Sequence, residues 1–137
     1  MDLARRRRPT VTIGGVNYLA HAWLARHSDD AILGAILGDF VFGQSGLQDW
    51  PPAVRAEIVR HRRIDLYTDA HPAVVVARGL FDDAGLRRYA GIVLDVHFDH
   101  CLARHWQRWN DAPLADFTAR VYRVLDEHRD ELPSRLR

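Results

Sequence analysis

The 137-residue sequence predicts a single all-α domain, a helical bundle, on three observations. Apolar residues recur at three- and four-residue spacing through most of the chain. Ser, Asn, Gly and Pro cut it into segments of helical length. No alternating run offers a partner strand, and 47% hydrophobic residues suit one compact core.

In chain order, residues 1–15 read as a flexible basic tail, with Arg5 to Arg8 ahead of Pro9, and 16–137 as the domain. Gly14, Gly15 and Asn17 interrupt the apolar run that a signal peptide would need. "VNYLAHAWLARH" (16–27) is a helix with Asn17 as its N-cap. "SDDAILGAILGDFVFG" (28–43) is a second, capped by Ser28, with Asp29 and Asp30 favourable in the first turn. Gly34 and Gly38 share a face there; each costs about 1 kcal/mol against Ala, which is reasonable where another helix comes close. "GQSGLQDWPP" is a loop. A long helix runs from about Pro52 to Ala70, broken by His71-Pro72. "PAVVVARGLF" (72–81) is a short helix, since Pro72 suits a first turn. "LRRYAGIVLDVHFDHCLARHWQRW" (86–109) is the longest periodic segment, with Ile92, Val96 and Ala103 near one stripe. A final helix covers about 113 to 130.

The bulk numbers narrow the function. A formal charge of +1 demands neither nucleic acid nor an acidic membrane. No apolar run approaches the roughly 20 residues of a membrane span. All 19 basic residues are Arg, so a catalytic lysine is excluded. The single cysteine, Cys101, cannot form an internal disulfide, which points to a reducing cytoplasm.

Polar residues inside apolar helices carry the chemistry, because burial is expensive unless they are paired or bind an ion. His21 lies in "YLAHAWLA", Asp39 in "ILGDFVF", and Asp95 and Asp99 in "IVLDVHFDH". His61, Asp65 and Asp69 stand four apart, one column on a helix face. Converging carboxylates repel one another, and a divalent cation removes the conflict. Imidazole with carboxylate and no thiolate suits Mn²⁺, Fe²⁺, Zn²⁺ or Mg²⁺, and such a cation can polarise a phosphoryl oxygen. The bland alternatives stay open: His21 as a hydrogen-bonded core residue, and Asp65 and Asp69 as partners of Arg62, Arg63 or a neighbouring helix. His27, His105 and His128 sit in polar surroundings and read as surface residues.

"NYLAHAWLA", "LGAILGDFVFG", "HRRIDLYTDAHPAV" and "RRYAGIVLDVHFDHCLARHW" together resemble the bacterial acyl carrier protein phosphodiesterases, over residues 16 to 136. The resemblance implies an HD-domain-like metal phosphohydrolase fold. It implies removal of 4′-phosphopantetheine from holo-acyl carrier protein, with Mn²⁺ as the usual metal. It implies metal ligands at His21, Asp39, His61 and either Asp95 or Asp99, with Asp39 important for activity. It leaves Asp65 as a further ligand or its neighbour. A carboxylate, Asp65 or Asp99, would orient the attacking water. An acidic carrier calls for a basic face, for which Arg55, Arg62, Arg63, Arg87, Arg88 and Arg104 are candidates, Arg62, Arg63 and Arg88 foremost.

The chain also departs from the family's pattern: the first residues are extra, and it stops at Arg137 where the family continues. A shortened C-terminus is expected to leave the stripe of Phe117, Val121, Val124 and Leu125 uncovered, and a homodimer to hide it. Two other functions compete: a general HD-type nucleotide or phosphoester hydrolase, and a non-catalytic helical module that binds a partner.

Overall fold

The structure, a computed structural model, describes residues 17–81 and 84–137. The tail expected over residues 1–15 lies outside them. Among the described residues the chain forms seven α-helices and no strand, as the spacing predicts. They are α1 (Tyr18–Leu24), α2 (Asp29–Leu37), α3 (Pro52–Ala70), α4 (Pro72–Gly79), α5 (Ala84–Arg87), α6 (Ala90–Arg104) and α7 (Leu114–Glu127). Short 3-10 turns cover Gly46–Asp49 and Trp106–Arg108.

α2 is the central element. Every residue from Ala31 to Leu37 is buried, as expected of a helix that is apolar on all sides. Ser28 caps it by accepting from the Ala31 amide at 3.1 Å. α3 lays Val54, Glu57, Ile58 and His61 against it, a buried stripe at i, i+3, i+4 and i+7. The glycines set the spacing. A Cβ on Gly34 would sit 2.6 Å from the Val54 carbonyl oxygen and 2.7 Å from Glu57 Cβ, and one on Gly38 would overlap the His61 ring. The close approach expected of the two glycines is therefore what they permit.

α7 closes the other side of α2. Its Phe117 and Val124 are buried, and Val121 and Leu125 pack against the same core together with Leu132. Asp29 at the start of α2 accepts from Arg120 at 2.9 Å and Arg123 at 2.9 Å, which pins the two helices. The expectation of an uncovered stripe on α7 is corrected: α2 and the residues after α7 cover it. Exposed apolar side chains gather on α4, at its C-terminal end and on α6, at Val75, Val76, Leu80, Val93 and Val96.

Three helix boundaries differ from expectation. The second helix stops at Leu37, because the amides of Phe40 and Val41 both turn back to the Leu37 carbonyl and Arg62 takes the Val41 carbonyl at 2.7 Å. Asp39 consequently stands in a turn and not within a helix. The 86–109 segment breaks at Arg88 and Tyr89, and again after Arg104, where Trp106 buries itself against Phe117 at 5.2 Å. Within α6 the buried positions are Ala90 and Leu94, while Val96, expected on the core stripe, is exposed. Among the described residues no helix is long and apolar enough to cross a membrane.

Candidate metal centre

The buried stripe of α3 runs on past the end of α2, and its next members are polar. His61 is 1% exposed, the Asp65 side chain 36% and that of Asp69 50%, so the column climbs from the core to the surface. Its first two members face α1 and the turn after α2. Asp69 leaves the centre to pair with Arg78 of α4 at 3.2 Å across the His71-Pro72 break.

The geometry converges on the Nε2 atoms of two histidines. Asp65 Oδ1 lies 2.8 Å from His21 Nε2, and Asp65 Oδ2 lies 3.2 Å from His61 Nε2. Asp39 Oδ1 is also 3.2 Å from His61 Nε2. The two imidazoles stack face to face, centroids 3.7 Å apart and 18° between planes. Donor atoms of His21, His61 and Asp65 all lie within 4.8 Å of one another, a spacing that fits one metal ion.

The hydrogen bonds define the chemistry of His61. Its Nδ1–H donates to the Ala35 carbonyl at 2.7 Å, and a carbonyl can only accept. Nε2 is thereby left either to carry a second proton between two carboxylates or to offer its lone pair to a cation. A backbone partner of this kind is the usual means of fixing a metal-binding histidine's tautomer. Burial opposes charge on His61, but Asp39 and Asp65 outweigh it and hold the pKa up at about 9. Burial likewise opposes the Asp65 anion, yet the two histidines keep it well below the ordinary carboxylate range.

The residues present fit a divalent cation. Four buried side-chain atoms, Asn17 Oδ1, His21 Nδ1, Trp23 Nε1 and Asp39 Oδ2, have no hydrogen-bond partner among the described residues, and two of them belong to residues of this centre. A buried polar atom left unpaired costs about 1–3 kcal/mol, so such orphans are expected where an ion or water completes the site. Asp95 adds a second sign. It is half-buried on α6, and burial followed by the charges of Asp65, Asp69 and Asp39 raises its pKa to about 6. A cation among these carboxylates would relieve that repulsion.

The expected residues thus separate. His21, Asp39, His61 and Asp65 come together. Asp95 lies within their electrostatic reach but outside the tight donor group. Asp99, expected to orient a water, instead gives both oxygens to backbone: it accepts from Leu19 at 2.8 Å and Ala20 at 2.9 Å. It caps α1 from α6, the role expected of Asn17, whose side chain makes no capping bond. Arg62 is tied to the Val41 carbonyl, Arg63 is exposed, and Arg88 lies over the Tyr89 ring at 4.7 Å. Sequence reasoning missed the Ala35 carbonyl, which no side-chain pattern could reveal, and the bridging of both histidines by Asp65.

Comparison with known proteins shows the family. The profile of the family described as acyl carrier protein phosphodiesterase matches residues 16–137. Proteins named acyl carrier protein phosphodiesterase from Yersinia pestis and Serratia proteamaculans are each 41% identical over 121 residues, 88% of this chain and 62% of theirs. One from Escherichia coli O45:K1 is 45% identical over 104 residues, 75% of this chain and 53% of its own. The chain thus spans less than two thirds of the length of these relatives. No solved structure matches. The chain belongs to the acyl carrier protein phosphodiesterase family.

Proposed function

We propose, from that membership and from the centre, that the chain is a metal-dependent phosphodiesterase acting on holo-acyl carrier protein. It hydrolyses the phosphodiester between the carrier's serine and the pantetheine arm, giving apo-carrier and 4′-phosphopantetheine. The observation that carries the reading is the Asp65 carboxylate spanning both histidine Nε2 atoms, with Asp39 on one of them.

In this reading His21, His61, Asp39 and Asp65 would hold the cation, with Asp95 on α6 near enough to add a carboxylate charge. A donor set of imidazole and carboxylate without thiolate suits Mn²⁺ first, with Mg²⁺, Fe²⁺ and Zn²⁺ taking similar ligands. When bound, such a cation neutralises phosphoryl charge and makes water a nucleophile near neutral pH. The protein's own groups prepare that chemistry. Ala35 and Gly38 fix the His61 ring, and Asp99 holds the helix that carries His21. Arg62, Arg63 and Arg88 offer positive charge to an acidic carrier. The lone Cys101 fits the cytoplasm, where such a carrier works.

The test is direct. Incubation with holo-carrier and Mn²⁺ should lower the carrier's mass by one phosphopantetheine, and a chelator or Asp39→Asn should abolish the loss. Hydrolysis of nucleotides with none of the carrier would assign the centre to a general phosphohydrolase. Binding of the carrier with no cleavage even when Mn²⁺ is supplied would make the chain a binding module.

A further inference from the structure

A cavity of about 760 Å³ lies between α7, the residues that follow it and the face of α2 that carries Ile36. None of His21, Asp39, His61 or Asp65 lines it, so it is a space apart from the candidate metal centre. Its floor is core. Ile36 is 4% exposed and Leu132 3%, and Val121, Leu125 and Leu136 pack on the same cluster. A wall made of core side chains stands ready before any ligand arrives, and small-molecule sites fall within about 300–1,000 Å³.

The rim is basic: Arg123, Arg129 and Arg137 line it against one carboxylate, Asp126. Arg123 is committed to Asp29 and Glu127, each at 2.9 Å. Arg129 pairs with Asp126 at 3.2 Å, but both side chains are 71% exposed, and a pair so hydrated exchanges readily. Arg137 is held differently. Its Nε donates to the Leu132 carbonyl at 2.9 Å and an Nη to the Asp130 carbonyl at 3.4 Å. Those bonds fix the guanidinium beside the aliphatic wall without cancelling its charge, and no carboxylate among the described residues pairs with it. We infer that this cavity binds a single-chain amphiphile with an anionic head. The chain lies on Ile36, Val121, Leu125 and Leu132, and a carboxylate head meets the planar fork of Arg137, with Arg129 beside it. A neutral chain would gain nothing from the guanidinium, and a compact anion would leave the aliphatic wall wet. The inference does not rest on the phosphodiesterase reading.

Calorimetry with decanoate, octanoate and 1-decanol, each kept below the concentration at which it aggregates, tests the assignment. Decanoate should bind about tenfold more tightly than octanoate, since each buried methylene adds roughly fourfold. It should also bind at least about tenfold more tightly than decanol, although decanol is the more apolar molecule. Arg137→Gln should erase the preference over decanol and keep the dependence on chain length. Val121→Trp, which fills the cavity from its wall, should abolish binding. Should that variant fail to fold, Tyr122→Glu, which places a negative charge at an exposed lining position, should weaken decanoate severalfold and leave decanol unchanged. Equal affinity for decanoate and decanol, an Arg137→Gln that keeps the preference, or a folded Val121→Trp that still binds decanoate overturns the inference. Binding to phosphatidylglycerol vesicles with none to decanoate monomers would also overturn it, by assigning the arginines to a lipid surface.

Discussion

The α2–α3 seam and the α4–α6 face are both rich in aliphatic residues, yet one is closed and the other open. Along the seam, Ile32, Leu33, Leu37, Val54 and Ile58 are at most 1% exposed. On the other face Val75, Val76, Leu80, Val93 and Val96 are all at least 47% exposed. The difference is interlock and not composition. Glycines at Gly34 and Gly38 let the α3 backbone and the His61 ring press into α2, whereas α4 buries only Val74 and leaves Val75 and Val76, like Val93 and Val96 of α6, to solvent. The candidate metal centre lies between these regions. Its histidines and Asp39 belong to the interlocked half and the turn beside it, and Asp95 comes from the open half.

The comparison breaks most severely at Gly38. Gly38→Ala should cost about 3 kcal/mol, at the upper end for overpacking, and should also displace His61 from its carboxylates. Urea midpoints and Mn²⁺ titration of the same protein check both effects; unchanged values would show that α3 can slide from α2. At the centre itself, His61→Asn and Asp65→Asn should lower Mn²⁺ affinity by more than the roughly 10–100-fold that loss of a supporting partner brings. Affinity within threefold of wild type would remove these residues from the ligand set.

Proton linkage sharpens the contrast further. The folded pKa of His61, about 9, is above its ordinary 6.5. A raised value stabilises the metal-free protein fully below pH 6.5, and that contribution is lost as pH rises through about 9. The same proton must leave before a cation binds Nε2, so Mn²⁺ affinity should climb through the same window. Melting curves with and without chelator, beside titrations at several pH values, read both; a flat affinity would place the cation elsewhere.

Asp99→Ala removes the cap on α1 and should cost about 1 kcal/mol, a loss visible in the denaturant midpoint. Smallest is the open face. Val76→Ser should change stability by less than about 0.5 kcal/mol, as exposed positions do. A larger loss that depends on protein concentration in light scattering would show a second copy covering this face.

The sequence by itself determined the all-α class, the break at His71-Pro72, the Ser28 cap and the column at His61, Asp65 and Asp69. Each of these is a local matter of spacing, backbone restriction or capping, which neighbouring residues settle among themselves. Polarity within apolar segments singled out His21 and Asp39, and the family motifs suggested ligand roles for them. Only the tertiary structure decided that Asp65 bridges the two imidazoles, that Asp99 caps α1 across 80 residues of chain, and that Arg62 takes the carbonyl of Val41. It alone assigned the Ala35 carbonyl to His61 and covered the stripe of α7. Those outcomes depend on which helix faces lie together at hydrogen-bond distance, and a side chain's spacing along its own helix carries no record of the partner it meets across the core.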